Sequence, residues 1–261
     1  MPFDRRAFLA RAAAVVAADT LVSSHADAKE PAPLPIVDCH QHLWDLERFR
    51  LPWLEGAPKV LRQNYRPEEY RTASRDTGIT RAVYMEVDVD PKQHLAEADY
   101  VAGLCRGKGP TVAAVVGGRP ASAGFGAYVK ELLKRRPHIK GVRQVLHNDA
   151  DKPGQCLQDD FVRGVRLLGD SNLSFDLCMR PRELADGVRL SERCPDTRFI
   201  LDHCGNADPK VFRRKRDDKE KPAHDPDAWR RDIERCAKRP NMICKISGIV
   251  ARAPKGWSAD D

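Results

Sequence analysis

The feature that most constrains the fold is a repeated alternation of short apolar runs with amphipathic segments after residue 35. Short apolar runs predict buried strands, and longer segments with helical spacing predict helices. Strand followed by helix, repeated, indicates parallel strands joined by right-handed crossovers. We therefore predict an α/β fold of the (β/α)8 TIM-barrel type rather than an open sheet, incomplete because about seven of the eight strands are countable. The predicted strands are 36–42, 82–87, 112–117, 141–146, 173–179, 199–203 and 242–247, and the predicted helices are 67–77, 93–106, 127–136, 160–170, 181–194 and 226–239.

The first 28 residues predict a targeting segment instead of a part of the fold. Arg5 and Arg6 stand before an alanine-rich apolar stretch at 12–22, and the small-residue pattern Ala-Asp-Ala follows at 26–28. A basic start, an apolar stretch and a small-residue site are the three parts of an export signal, and paired arginines are typical of the twin-arginine kind. We expect residues 1–28 to be such a signal and the protein to be periplasmic or otherwise exported; the alternative is an amphipathic helix.

A proline-rich linker at 29–35 separates this segment from the predicted barrel domain at 36–261. Proline lacks a backbone N–H and clashes with the preceding helical turn, so the linker is not the interior of a helix. No segment of the chain approaches the roughly 20 apolar residues of a membrane span, and we expect none.

Composition narrows the classes of function. Hydrophobic residues make up 41% of the chain, enough for a core. The formal net charge of +7 comes from 45 Lys and Arg against 38 Asp and Glu, and it is not clustered in the basic stripe that nucleic-acid binding needs. None of the eight cysteines forms a C-x-x-C pair, so free thiols are expected. We expect a small-molecule substrate as partner, and the sequence leaves the oligomeric state open.

Two histidines close the first predicted strand. Side chains alternate between the two faces of a strand, so His40 and His42 share one face. Two neutral imidazoles at the end of one strand can converge on a metal ion or on a substrate. The alternative is a pair of exposed loop histidines.

A third histidine, His203, ends the sixth predicted strand, and Gly205 permits a tight turn after it. In a barrel whose first strand carries His40 and His42, His203 is a candidate for the same site. Asp202 has the opposite parity to His203, so we expect its side chain to point away from it.

Charged residues also occur on predicted inner strands, where an unpaired charge is costly. Arg143 is expected either to pair with a protein carboxylate such as Glu86 or to receive a substrate carboxylate in bidentate fashion. Glu86 and His147 are further substrate-binding candidates near the barrel mouth. Lys245 is expected to be a salt-bridge partner or a catalytic group.

Four segments together resemble the amidohydrolase-related TIM-barrel hydrolases, in the branch of sugar-acid lactonases and pyrone-dicarboxylate lactonases. The resemblance covers about residues 36–253 in the order of the family. It implies hydrolysis of a cyclic ester or of a related C–O or C–N bond. The segments are Val37-Asp-Cys-His-Gln-His-Leu-Trp44, Lys140-Gly-Val-Arg143, Leu201-Asp-His-Cys-Gly205 and Cys244-Lys-Ile-Ser-Gly248.

The resemblance also implies roles for individual residues. His203 matches the strand-six catalytic histidine, and Arg143 matches an arginine that holds a substrate carboxylate. With His203, the pair His40 and His42 would hold one divalent metal ion such as Zn²⁺, although some lactonases of this branch work without a metal.

One motif of the family is missing. The last strand of the family carries an aspartate in a Gly-x-Asp-Trp-Pro-like motif, as metal ligand and general base, and no Asp-Trp-Pro occurs in this sequence. We therefore expect the chain to be C-terminally incomplete relative to the family, to lack the last strand and to have little activity. Three hypotheses follow: a lactone hydrolase, a decarboxylase on the same scaffold, or an inactive binding remnant.

Overall fold

The structure is a computed structural model that describes residues 34–148, 150–212, 222–253 and 257–258. The described residues from 35 onward belong to one compact unit of the chain. The predicted signal 1–28 and most of the predicted linker lie outside the described residues, so both remain predictions. Within the described ranges, the helices lack the combination of length and apolarity that would let one cross a membrane.

Seven parallel strands form one curled sheet in sequence order, which confirms the predicted incomplete (β/α)8 barrel. Each strand pairs with the next one along the chain, as the strand–helix alternation predicts. Among the described residues, β1 and β7 are therefore the edges of the sheet. The strands are β1 (Ile36–Gln41), β2 (Ile79–Met85), β3 (Thr111–Gly117), β4 (Ile139–Leu146), β5 (Ser174–Met179), β6 (Phe199–Leu201) and β7 (Met242–Cys244).

Helices cover the outer face of this sheet, close to the positions predicted for them. The last one begins at Asp225, whose side chain accepts hydrogen bonds from the N–H groups of Asp227 and Ala228, with Pro226 in the first turn. The helices are α1 (Pro67–Ala73), α2 (His94–Arg106), α3 (Phe125–Leu133), α4 (Asp159–Asp170), α5 (Leu184–Arg193) and α6 (Pro226–Ala237).

The main core lies between the sheet and these helices. Phe175 of β5 is fully buried and packs edge-to-face with Phe161 of α4 and Phe199 of β6, at ring-centroid distances of 5.7 and 6.3 Å. Burying such a ring stabilises the fold by roughly 1.5–3 kcal/mol. The core therefore fixes the strands, and the strand ends fix the side chains at the barrel mouth.

Four strands end earlier than predicted. Strand β1 stops at Gln41 instead of residue 42, and β2 stops at Met85 instead of residue 87. Strand β6 stops at Leu201 instead of residue 203, because four consecutive residues, His203–Asn206, have positive φ values of 54°, 50°, 68° and 56°. Strand β7 stops at Cys244 instead of residue 247. All four differences lie at the carboxyl ends of strands, where the chain leaves the sheet to form the barrel mouth.

Candidate active site

Three imidazoles meet at the carboxyl ends of β1 and β6. The ring of His40 lies 4.8 Å from that of His42 and 4.4 Å from that of His203, measured between centroids. The structure therefore brings together the three histidines that the sequence singled out from two distant strands.

The turn His203–Asn206 delivers the third imidazole. Left-handed backbone is strained for residues other than glycine, at about 1–3 kcal/mol each, and such strain clusters at functional sites. The N–H of Cys204 donates to Lys245 O at 3.1 Å, and the side chain of Asn206 donates to Met179 O at 2.9 Å. Trp229 Nε1 donates to Cys204 O at 2.9 Å. Bonds from β5, β7 and α6 thus hold the strained turn in place.

Gly248 fixes the His203 ring on its other side. A Cβ atom on Gly248 would lie 2.5 Å from Nδ1 of His203, so only glycine leaves room for the ring. Nδ1 of His203 also lies 2.9 Å from the hydroxyl oxygen of Ser247. The segment after β7 therefore orients the catalytic candidate by contact and by hydrogen bond.

Asp202 is the main correction to the sequence analysis, which expected its side chain to point away from His203. Its carboxylate is fully buried and lies with His40 and His203 in one cluster, whose potential ligand atoms are all within 4.8 Å of one another. The parity argument was wrong for the following reason. Ile200 pairs with Asp176 of β5, and Asp202 lies two residues after Ile200, so the side chain of Asp202 is on the same face of the sheet as that of Asp176. The left-handed backbone at His203 breaks this alternation, and the His203 ring therefore turns toward the same cluster as Asp202.

Arg143 is paired with protein carboxylates, one of the two outcomes expected for it. Its Nε donates to Glu86 Oε1 at 2.6 Å, and its Nη1 donates to Asp202 Oδ2 at 3.2 Å. Its Nη2 donates to the backbone oxygen of Glu86 at 3.0 Å. These bonds use three of the five N–H groups of Arg143 and leave one on Nη1, which lies 3.5 Å from His40 Nε2, and one on Nη2. The role of Arg143 in binding a substrate carboxylate stays a prediction.

Lys245 forms a salt bridge, as the sequence analysis allowed. Its Nζ lies 2.9 Å from Asp176 Oδ2 and 3.1 Å from Asp202 Oδ1. Burial opposes the charge of Lys245, but the two carboxylates outweigh it and raise its pKa. Burial raises the pKa of Asp176 to about 6, with Lys245 opposing the shift. Lys245 and Arg143 therefore balance much of the negative charge at the centre of the barrel.

Burial keeps the imidazoles neutral. It lowers the pKa of His42 to about 4, helped by the positive charge of Arg143. Burial also lowers the pKa values of His40 and His203. At neutral pH all three rings are therefore neutral, and each has one nitrogen lone pair that can bind a cation.

The donor set at this cluster fits a divalent metal ion. Two imidazoles and a carboxylate, from His40, His203 and Asp202, are a ligand combination typical of catalytic zinc. His40 Nδ1 is buried without a hydrogen bond, as expected for an atom that binds a ligand. The ring of His42, predicted as a ligand, adjoins the cluster. Its Nδ1 is 3.0 Å from Met85 O, a contact that leaves Nε2 for a cation, so its role as a ligand stays a prediction.

A cleft of about 360 Å³ opens beside the histidines. His42, Glu86 and Arg143 line it, and the half-buried His147 lines it as well. Burial lowers the pKa of His147. The predicted substrate-binding residues Arg143, Glu86 and His147 thus line one cavity. Its other lining residues are Trp44, Trp53, Leu61, Val87, Asp88, Val145 and Asn148.

Sequence reasoning did not propose Asp176, Ser247 or Asp88 as site residues. Asp176 interrupts the apolar run of strand five, and a charge inside a buried strand was the signal that could have found it. Ser247 and Asp88 lie just beyond strand ends, where composition alone does not separate site residues from loop residues.

Comparison with known proteins places the whole barrel in one family. A family model described as Amidohydrolase matches residues 37–261. L-fucono-1,5-lactonase of Burkholderia multivorans is 27% identical over 228 residues, which span 86% of this chain and 72% of that protein. An uncharacterized protein of Sinorhizobium fredii is 25% identical over 231 residues, 83% of this chain and 73% of that protein.

The fold is also shared with solved structures. A crystal structure of an amidohydrolase from Burkholderia multivorans with bound HEPES matches with a TM-score of 0.70 and 23% identity, over 87% of this chain and 75% of that chain. A crystal structure from the same organism with bound zinc matches with a TM-score of 0.68 and 22% identity, over the same shares. The chain therefore belongs to the amidohydrolase family and is an enzyme of the hydrolase type.

Proposed function

We propose that this chain hydrolyses a lactone, the cyclic ester of a hydroxy acid, and that the substrate is a sugar-acid lactone. The observation that carries the proposal is the cluster of His40, Asp202 and His203 beside a cleft large enough for one small ring. The resemblance to L-fucono-1,5-lactonases supports the choice of bond and of substrate class.

The neutral ring of His203 acts as the proton acceptor for the attacking water. In the tautomer that this role requires, Nδ1–H donates to Ser247 Oγ, and Nε2 carries the lone pair that accepts the proton. A general base must be neutral at the working pH, and the lowered pKa of His203 provides that state. The oxygen released when the ring opens then receives the proton that His203 took.

Arg143 contributes positive charge beside the reacting carbonyl. The N–H groups that remain on Nη1 and Nη2 can donate to a substrate oxygen, and Glu86 and Asp202 hold the guanidinium in place. A carboxylate on the substrate stays a prediction, because Glu86 and Asp202 already accept hydrogen bonds from three of the five N–H groups of Arg143.

A divalent ion held by His40, Asp202 and His203 would supply a bound water of lowered pKa and a Lewis acid for the carbonyl. Asp202, the residue after β6, would add the carboxylate to this ligand set, and His203 would then be a ligand instead of the base. A metal-independent reaction is the alternative, with Arg143 and Lys245 as the fixed positive charges.

The test is hydrolysis of δ-valerolactone and L-fucono-1,5-lactone by the full chain, followed by titration of the released acid. The chain is assayed at high concentration so that slow turnover is detected. His203→Ala and Asp202→Asn should each lower kcat/KM at least about 100-fold. Equal rates for the chain and for His203→Ala would contradict the proposal.

The same assay separates the decarboxylase alternative. A decarboxylase would release CO₂ from an aromatic acid such as 5-carboxyvanillate and leave both lactones intact. It would also need the metal more strictly, so a chelator would abolish its activity.

A further inference from the structure

Asp88 lies in the cleft beside the catalytic cluster, but neither the proposed reaction nor the metal set uses it. It follows β2, is 19% exposed by its side chain and lines the same cavity as His42 and Arg143. Its φ of 49° is left-handed, a conformation that aspartate adopts at a cost.

Three loops hold Asp88 in this conformation. Arg119 Nη2 donates to Oδ1 at 2.7 Å, and Asn148 Nδ2 donates to Oδ2 at 3.4 Å. The backbone N–H of Asp88 donates to Glu86 Oε2 at 2.5 Å. Residues after β2, β3 and β4 therefore fix one carboxylate at the cleft, and backbone strain that is over-determined in this way is typical of ligand sites.

The carboxylate keeps free acceptor capacity. An ionised carboxylate offers about four lone-pair sites, and two side chains, Arg119 and Asn148, use one site each. Because Asp88 lines the cavity, its remaining lone-pair sites can accept hydrogen bonds from the hydroxyl groups of a ligand. The same negative charge repels a carboxylate on a ligand.

The rest of the cavity is suited to the face of a ring. Trp44 and Trp53 lie edge-to-face at a centroid distance of 5.8 Å. Their indole N–H groups already donate to Gln63 O and Val87 O, both at 2.7 Å. The indole rings therefore present carbon surface to the cleft, and Leu61 and Val145 add to it.

We propose that Asp88 is a specificity-determining residue that accepts hydrogen bonds from the ring hydroxyls of a sugar-acid lactone, while the C–H face of that ring packs on Trp53. The choice of a lactone rests on the proposed function. The hydroxyl recognition itself rests on Asp88, its three partners and the apolar wall.

Binding of lactams tests this recognition without requiring turnover. L-fucono-1,5-lactam and δ-valerolactam share a six-membered ring whose amide resists hydrolysis far more than the ester of a lactone, and the first carries the hydroxyls. Isothermal titration should show that the full chain binds the hydroxylated lactam at least about tenfold more tightly than δ-valerolactam. Absence of this preference would overturn the proposal.

Asp88→Ala should bring the ratio of the two dissociation constants to within about threefold of one. Asp88→Asn is the second variant, because asparagine tolerates positive φ and keeps an oxygen for Arg119; it should lower the ratio at least about threefold. Retention of the original ratio by both variants would overturn the proposal.

Asp90→Ala is the matched control. Asp90 is in the same loop and also pairs with an arginine, Arg50, at 3.3 Å, but it does not line the cleft. Asp90→Ala should keep the original ratio of the two dissociation constants. If it lowers that ratio as much as Asp88→Asn does, the effect belongs to the whole loop, and the specific role of Asp88 is rejected.

The two lactones distinguish this proposal from the proposed function. If the chain binds the hydroxylated lactam selectively but hydrolyses neither lactone, Asp88 keeps its role and the lactonase assignment fails. If both lactones are hydrolysed at rates that Asp88→Ala changes equally, the lactonase assignment holds and the role of Asp88 fails.

Discussion

Glu86 and Arg143 form an ion pair of 2.6 Å between Oε1 and Nε, and their side chains are 1% and 6% exposed. The pair joins the end of β2 to β4, two strands apart in the sheet. It also orients Arg143 toward Asp202 and connects, through the second Glu86 oxygen, to the backbone of Asp88. One buried carboxylate thus positions both the charged centre of the barrel and the cleft beside it.

Removing one partner of this pair should destabilise the fold strongly. Glu86→Ala leaves a buried guanidinium with less compensation, which costs about 3–5 kcal/mol in the free energy of unfolding. Urea denaturation followed by circular dichroism measures this loss in the free energy of unfolding. Glu68→Ala, which breaks the exposed Glu68–Arg71 pair of 2.9 Å in α1, is the control and should change the free energy by less than about 1 kcal/mol. Similar losses in both variants would contradict the argument.

Gly248→Ala should disable the site through His203. The new methyl group would lie 2.5 Å from Nδ1 of His203, and the φ of 69° adds strain. We expect kcat/KM for δ-valerolactone to fall by at least about 100-fold, because displacement of a catalytic group by about 1 Å has that effect.

Gly154→Ala separates crowding from backbone strain. Gly154 has a φ of 74°, and a Cβ there would meet no atom within 4 Å. This variant should lose about 1 kcal/mol of stability and keep its kcat/KM. A comparable loss of activity in Gly154→Ala would show that strain, and not contact with His203, is responsible.

The carboxylates of Asp176 and Asp202 depend on Lys245. Lys245→Met would leave both without the ammonium that now lies 2.9 and 3.1 Å away. We expect a loss of about 3–5 kcal/mol in the free energy of unfolding. Adding Asp176→Asn to Lys245→Met removes one of the two negative charges and should recover part of the lost free energy of unfolding. A double-mutant cycle, with each free energy obtained by urea denaturation, measures this recovery. Strictly additive losses would show that the two residues are not coupled.

Much of the fold could be predicted because hydrophobic periodicity reports burial, and burial decides which segments become strands and helices. The same logic brought His40 and His42 together with His203, since the carboxyl ends of parallel strands meet at one barrel mouth. The convergence of His203 with Asp202 could not be predicted, because residue identity does not reveal four successive left-handed residues when only Gly205 and Asn206 readily adopt that conformation. The pairing of Arg143 was left between two outcomes, since a sequence shows that a buried charge needs a partner but not which one.

The export signal stays a prediction, and so does periplasmic or other export. It was inferred from residues 1–28, which lie outside the described part of the chain. Fusion of this segment to a reporter that depends on the twin-arginine route would test it, with Arg5 and Arg6 both changed to lysine as the variant that should block export.

Glu97 of α2 should make stability depend on pH. Its carboxylate is fully buried and accepts hydrogen bonds from Tyr84 Oη at 2.9 Å, Val87 N at 3.2 Å and Gly117 N at 3.0 Å, which ties together the ends of β2 and β3. Burial, followed by the charge of Glu86, raises the pKa of Glu97 from 4.5 to about 7.

Because the folded pKa is raised, the folded state binds more protons than the unfolded state between pH 4.5 and about 7. The contribution of Glu97 to stability is therefore fully present below pH 4.5 and is lost as pH rises to about 7, with a slope of at most about 1.4 kcal/mol per pH unit. His94, whose pKa burial lowers to about 4, has the opposite effect between pH 4 and 6.5. Glu97→Gln removes only the first effect, so the difference between the two unfolding curves isolates it. Urea titrations at half-unit intervals from pH 4.5 to 7.5 should show the variant gaining on the original chain as pH rises, and parallel curves would show that Glu97 does not titrate in this window.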